Sequence, residues 1–339
     1  MKRSVFKRVG ALLTAWAMSI MLAPHALAAV SEATASAEEV NLATQNLPIP
    51  ENIVVGPGDP IRVPLPDSVS HRGQYLPAFM CSIGAGGVVT DGDGRSHTVA
   101  LTAGHCLNTS DRYPGIPVVG EDVYVPTPAG DAHIGRAGAH AFEIPEDGTF
   151  WHAFNGRDYG VIELDPGVVP TSESFSADEY GRSHGESVAL TGIQDARTLA
   201  PGEVSFDNLG QPICKDGART GRACGVQVLR ARNGVWSLGM EMDKGDSGGS
   251  AYNPATRELI GVNSMVFGPI SRVQPADVII EEVYAIPDGQ VNEHFEMPEP
   301  GIERNVIHRT IAEDAAVAQE YLKQTEVTPP ALSDVASVG

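Results

Sequence analysis

An all-β protein, a sandwich or, better suited to its length, two small barrels side by side, is what this sequence predicts. Three observations point there. From about Gln74 to Met297, short Val/Ile/Leu/Thr runs alternate with Gly, Pro, Asn and Asp turns. Long helical periodicity is absent from the same stretch. Roughly 220 residues carry the pattern, which suits two small barrels better than one.

The elements follow in order. Lys2, Arg3, Lys7 and Arg8 form a basic start, Val9 to Leu22 an apolar stretch, and Ala26-Leu27-Ala28 a small-x-small site. That order predicts a signal peptide over 1–28 and a secreted, extracellular protein. The apolar run is short of the roughly 18–20 residues a span needs, so no stable membrane insertion is expected. Residues 29–75 are Ala/Ser/Glu-rich, then punctuated by Pro48, Pro50, Pro57, Pro60, Pro64 and Pro66. They read as a propeptide or a loosely ordered N-terminal arm.

Gly87-Val88-Val89-Thr90, the turn Asp91-Gly92-Asp93-Gly94, and His97 to Thr102 read as a hairpin. A second strand-rich set runs from Ser187 to Val283. After Met297, Pro298-Glu299-Pro300-Gly301 breaks the pattern, and Ile307, Ile311, Val317 and Tyr321/Leu322 predict an amphipathic helix over 305–323 of a 298–339 tail. No internal repeat is strong enough to use.

Charge and cysteines narrow the class. Loss of the signal takes the formal net charge from −20 to −24. So acidic a surface argues against nucleic acid and anionic membranes as partners. Four cysteines in an exported chain predict two disulfides, with three connectivities formally possible. Closeness in sequence favours Cys81–Cys106 and Cys214–Cys224. No Cys-x-x-Cys or paired histidine spacing appears, so neither a metal nor a cofactor is expected.

Two distant segments carry chemistry. Leu101-Thr102-Ala103-Gly104-His105-Cys106 delivers a histidine beside a cysteine at the end of an apolar strand. Lys244-Gly245-Asp246-Ser247-Gly248-Gly249-Ser250 sets a serine in a glycine-rich turn, where backbone amides can crowd a reacting oxygen. Imidazole changes charge near neutral pH and suits a general base. A serine nucleophile needs that base, a carboxylate to orient it, and donors for the oxyanion. An esterase on another fold would want its histidine after the serine, and here it precedes.

Together, in this order, the two segments resemble the chymotrypsin-type serine proteases. Cys81-Ser82-Ile83-Gly84, the segment Cys214 to Gly225, and Val283-Tyr284-Ala285-Ile286-Pro287 resemble the bacterial streptogrisin and alpha-lytic group. The resemblance covers about two-thirds of the chain. It implies two six-stranded antiparallel barrels over 76–297, His105 as base, Ser247 as nucleophile, and the N–H groups of Gly245 and Ser247 as oxyanion hole.

The family order His, Asp, Ser implies a third member between them. Asp158, opening the strand-like Asp158-Tyr159-Gly160-Val161-Ile162, is the choice over Asp165 and Asp122. By analogy Lys215 faces Asp246, where the group commonly has arginine. Glu241, Ser264, Met265 and Val266 are the candidate substrate-binding residues. The expectation is a monomeric secreted serine endopeptidase acting on proteins or peptides. The alternative is a secreted protease homologue without catalysis, serving as a binding or adhesion module.

Overall fold

The computed structural model describes residues 48–63, 79–107, 121–144 and 150–316. The expected signal over 1–28 lies outside them, as does 317–339.

Strands begin where a loose arm was expected. β1 (Ile53–Val55) and β2 (Pro60–Val63) fall within 29–75, yet Val55 and Ile61 are fully buried. Pro57 lies between the strands and Pro60 opens the second, so neither interrupts a ladder from within. Each buried aliphatic side chain contributes about 1.5–3 kcal/mol, and short apolar runs suffice once distant strands cover them. The folded body starts well before residue 76.

Next come β3 (Phe79–Ser82), β4 (Ala85–Thr90), β5 (Ser96–Thr102), the single turn α1 (Gly104–Leu107), β6 (Asp122–Thr127), β7 (Gly130–Phe142), α2 (Phe150–Asn155), β8 (Asp158–Leu164) and β9 (Val168–Pro170). The predicted hairpin forms: β4 and β5 pair antiparallel from Ala85↔Leu101 to Thr90↔Ser96. The sheet runs β4-β5-β8-β7-β6-β2-β3. Only Ile83 and Gly84 separate its two flanks, β3 and β4, in the chain. A link that short reaches about 10 Å at full stretch, so the sheet must roll until its edges approach. Ile61, Val63, Val125, Ile134 and Ile162 form one buried cluster across it.

β10 (Glu173–Ser174) and β11 (Val188–Ala189) make a short ladder between the sheets. The second sheet comprises β12 (Gly192–Ile193), β13 (Val204–Ser205), β14 (Pro212–Lys215), β15 (Ala223–Ala231), β16 (Gly234–Leu238), β17 (Ser250–Tyr252), β18 (Glu258–Phe267) and β19 (Ile270–Pro275). The order β18-β17-β14-β15-β16-β19 returns to β18 and closes a six-stranded antiparallel ring. Ile213, Val235, Ala251, Ile260 and Val273 form its buried cluster. The double-barrel expectation holds, with one barrel closed by hydrogen bonds and one rolled but open. Two short pairings, β1 with β9 and β12 with β18, are parallel, where antiparallel pairing was expected.

Residues 276–283, read above as part of a strand-rich set, fall in helix α3 (Ala276–Tyr284). The β-branched run Val278-Ile279-Ile280 mimics a strand, but the helix buries all three, with Ile279 and Ile280 in a cluster with Leu101 and Val161 of the first sheet and Leu259 and Val262 of the second. After α4 (Val291–His294), β20 (Phe295–Glu296) pairs with β4 and extends the first sheet. The body therefore continues past 297. The helix expected over 305–323 starts only at 311. Among the described residues, no helix is long and apolar enough to cross a membrane.

Candidate active site

β5 ends in a fully buried Leu101-Thr102, held between β4 and β8, and the chain turns at once into α1. Cys106 on that turn is bridged to Cys81 on β3, and Cys214 to Cys224 within the β14–β15 hairpin, the pairings expected from the sequence. The neighbouring His105 is fixed in place, with only 4% of its surface exposed.

Asp158 opens β8, the strand beside β5, and is fully buried. Its Oδ1 accepts from the His105 backbone N–H at 3.0 Å, and its two oxygens lie 3.1 and 3.0 Å from His105 Nδ1. Burial pushes the Asp158 carboxyl upward, but His105, Ser264 and Arg272 more than offset it and bring it down to about 2. An ionised carboxylate can only accept. The imidazole proton therefore sits on Nδ1, and Nε2 presents a lone pair in the neutral ring.

Ser264 takes a role the sequence did not suggest. It was a candidate for substrate binding, yet its hydroxyl is buried and donates to Asp158 Oδ2 at 2.6 Å. Arg272 explains the direction: its Nη1 donates to Ser264 Oγ at 2.5 Å, so the single hydroxyl proton must point at Asp158. Arg272 is itself fully buried, with Nη2 on the carbonyls of Gly156 and Asn233. Burial lowers its guanidinium to about 10, still charged at neutral pH. Neither residue forms a motif with His105 in sequence, so only the fold brings them together.

Ser247 lies in the turn that precedes β17, half-buried, on the second barrel. Ser82 of β3 fastens this turn to the first sheet. Its N–H donates to Ser247 O at 2.8 Å and its hydroxyl to Gly245 O at 2.8 Å. Gly248 packs against the strand leading to His105. A Cβ there would stand 2.0 Å from Thr102 Oγ1, and φ is +80°. No larger residue fits. Serine turn and histidine turn thus meet across the two sheets, although among the described residues no hydrogen bond joins the Ser247 hydroxyl to the His105 ring. Such contacts are often loose without substrate and tighten in the complex.

The turn's amides are used selectively. Asp246 N donates to Asp243 O at 2.9 Å, Gly248 N to Asn263 O at 2.7 Å and Gly249 N to Asp246 O at 3.0 Å. The N–H groups of Gly245 and Ser247 have no such partner among the described residues. The turn thus leaves two amides unused, the serine's own and that of the glycine two residues before it.

Beneath the turn, Asp246 and Lys215 are both fully buried and meet at 2.9 Å, as the analogy anticipated. Asp246 also accepts from Asp243 N, Arg219 N and Thr220 N at 2.9 Å each and from Thr220 Oγ1 at 2.7 Å. Lys215 Nζ donates to that same threonine hydroxyl. Burial pushes the Lys215 ammonium downward, and Asp246 opposes it.

The remaining candidates make none of the hydrogen bonds described at this centre. Asp165 and Asp122, the competitors of Asp158, both engage His133, at 2.6 and 3.1 Å. Glu241 is exposed, Met265 is half-buried against Trp236 and Phe154, and Val266 is 39% exposed. Asp195, Glu281 and Asp288 bring carboxylate oxygens within 4.8 Å of one another, and Asp195 accepts from Val291 N at the start of α4, Glu281 from the Thr198 hydroxyl and Asp288 from Thr198 N.

No protein-family model matches the sequence, and no curated protein is significantly similar to it. Among solved structures, the chain is similar to Thermobifida fusca Protease A at 20% identity and a TM-score of 0.40, over 72% of this chain and 100% of that one. It is similar to a glutamic acid-specific serine protease that uses a histidine triad in substrate binding, at 20% identity and a TM-score of 0.42, over 68% and 98%. A Nocardiopsis protease follows at 18% identity and a TM-score of 0.38, over 68% and 97%. At these values the likenesses add nothing to the geometry.

Proposed function

We propose that this protein is a secreted serine endopeptidase. The observation that carries the reading is the pairing of a buried, tautomer-fixed His105 with a serine turn whose two flanking amides are free. Two disulfides fit an oxidising, extracellular location.

The chemistry needs no cofactor. His105 Nε2 takes the Ser247 proton as Oγ attacks the scissile carbonyl carbon, and the developing oxyanion is received by the N–H groups of Gly245 and Ser247. Asp158 steadies the imidazolium, which then gives its proton to the leaving amine as the peptide C–N bond breaks. Water, activated by the same base, attacks the acyl-enzyme, releases the carboxylate product and restores the serine hydroxyl. Glu241, Met265 and Val266 are assigned to contact the substrate, and the protein works as a monomer on proteins or peptides.

The test is fluorophosphonate labelling and casein digestion by secreted wild type and Ser247→Ala. Labelling and digestion by the wild type, with both lost on substitution and turnover down about a million-fold, is the expected result. A folded wild type that takes no label and leaves casein intact overturns the reading in favour of a binding module.

A further inference from the structure

The C-terminal tail reaches the oxyanion turn. Residues 301–316 run back across the body as a strap. Gly301 N donates to Glu173 Oε1 at 3.1 Å, Arg304 Nε to Asp59 Oδ1 at 2.6 Å, Val54 N to Asn305 Oδ1 at 2.9 Å, and Arg309 N to Pro126 O at 3.0 Å. A ring of alternating charges then locks it. Arg62 meets Asp131 at 3.0 Å and Asp314 at 2.8 Å, while Arg309 meets Asp131 at 2.5 Å and Asp314 at 2.7 Å. Arg62, Arg309 and Asp314 are buried, and each charge has an opposite charge on both sides, so none is left uncompensated.

Thr310 and Glu313 follow as a capping box. Thr310 N donates to Glu313 Oε2 at 2.7 Å and Glu313 N to Thr310 Oγ1 at 3.2 Å, which starts the helical turn at 311. The side chain this launches is Ile311. It is 8% exposed, yet it belongs to none of the hydrophobic clusters among the described residues. Its partner is Gly245. A Cβ built on Gly245 would stand 2.8 Å from Ile311 Cδ1 and 3.2 Å from Arg219 Cβ, so both side chains close the outer face of that glycine. Backbone contacts run in parallel: Ala312 N donates to Glu179 O at 3.2 Å, Glu179 N to Arg219 O at 2.9 Å, and Arg219 N to Asp246 Oδ1 at 2.9 Å.

We propose that Ile311 is a positioning residue for the oxyanion turn, a buttress by which the strap holds the Gly245 amide in line with that of Ser247. The proposal rests on the peptidase reading above. Gly245 has φ +110°, a conformation open to glycine that its own backbone does not restrict to one value, so an outside contact has a job to do. Loss of the buttress leaves Ser247, His105 and Asp158 where they are and loosens one donor.

The test compares full-length wild type, Ile311→Ala and Ile311→Val. Removing an oxyanion donor outright costs about 10²–10³ in rate, so loosening one should lower kcat about tenfold with KM unchanged. Valine, which keeps the branched contact, should recover most of the loss. Amide hydrogen exchange over 243–249 should quicken in the alanine variant and stay near wild type in the valine variant. Wild-type kcat together with wild-type exchange in Ile311→Ala overturns the proposal. If the wild type has no turnover at all, the peptidase reading fails, and exchange alone decides the buttress: faster in alanine upholds it, equal refutes it.

Discussion

One seven-residue pattern, Asp-x-x-Gly-Arg-Ser-His, too short to stand as an internal repeat, occurs at 91–97 and again at 178–184, and both copies fold alike. In the first, Asp91 Oδ1 accepts from Asp93 N and Arg95 N at 2.9 Å, and Oδ2 from Arg95 Nε at 2.9 Å and His97 Nε2 at 3.2 Å. In the second, Asp178 Oδ1 accepts from Tyr180 N and Arg182 N at 3.0 Å, and Oδ2 from Arg182 Nε at 2.7 Å and His184 Nε2 at 3.1 Å. Gly94 and Gly181 share φ values of +80° and +81°.

Their surroundings differ. The first copy caps the β4–β5 hairpin with Arg95 in solvent, and its His97 ring faces Tyr284. The second bridges to Thr220, lays His184 against Gly221, and pairs Glu179 with Arg219 at 2.7 Å. It leans on the residues that grip Asp246 and is touched by the strap on its other side. Local sequence dictates the turn, and tertiary placement dictates what the turn does.

The comparison breaks most readily at the buried pair on which the second turn bears. Lys215→Met strands Asp246 without its cation and should destabilise the fold by about 3–5 kcal/mol, with turnover down at least about a hundredfold in what remains folded. Urea melts and single-turnover acylation read both effects. Full activity in a folded variant would disconnect that cluster from the site. Next in size is Asp178→Ala, expected to cost about 2 kcal/mol and lower kcat several-fold through Arg219 and Thr220.

The pH dependence sharpens the same point. Burial raises the Asp178 carboxyl, but Arg182 and His184 outweigh it and leave it well below the usual carboxylate range. A depressed native pKa means stability present above about pH 4 and lost as pH falls further. Wild type and Asp178→Ala should therefore differ most near pH 7 and converge in strong acid. The smallest effect belongs to Asp91→Ala: a modest loss in the urea midpoint and unchanged kcat/KM. Equal damage to kcat/KM from the two alanine variants would end the distinction.

Much of the candidate site was legible because its signals are short and local. Gly104-His105-Cys106, Gly245-Asp246-Ser247-Gly248 and the Asp-Gly-Asp-Gly turn each carry their meaning within a few residues. What escaped was set by distance or by competing signals. Ser264 donates to a residue 106 positions away, and no local pattern announces that bond. β1 and β2 hid among prolines, and β1 pairs with a strand more than a hundred positions away, beyond the reach of any window. The helix in the tail was placed six residues early, since apolar spacing from Ile307 outweighed the Thr310–Glu313 cap that sets its start. The run Val278-Ile279-Ile280 favoured strand by composition, whereas packing of Ile279 and Ile280 against both sheets accommodates it as a helix.

Ser82 bonds Gly245 across 163 positions, and Val54 bonds Asn305 across 251. A chain emerging from its N-terminus thus presents His105, Asp158 and Ser247 while the first sheet still lacks β20 and the serine turn still lacks Ile311. The contacts of β20 and of Ile311 can form only at the far end of translation.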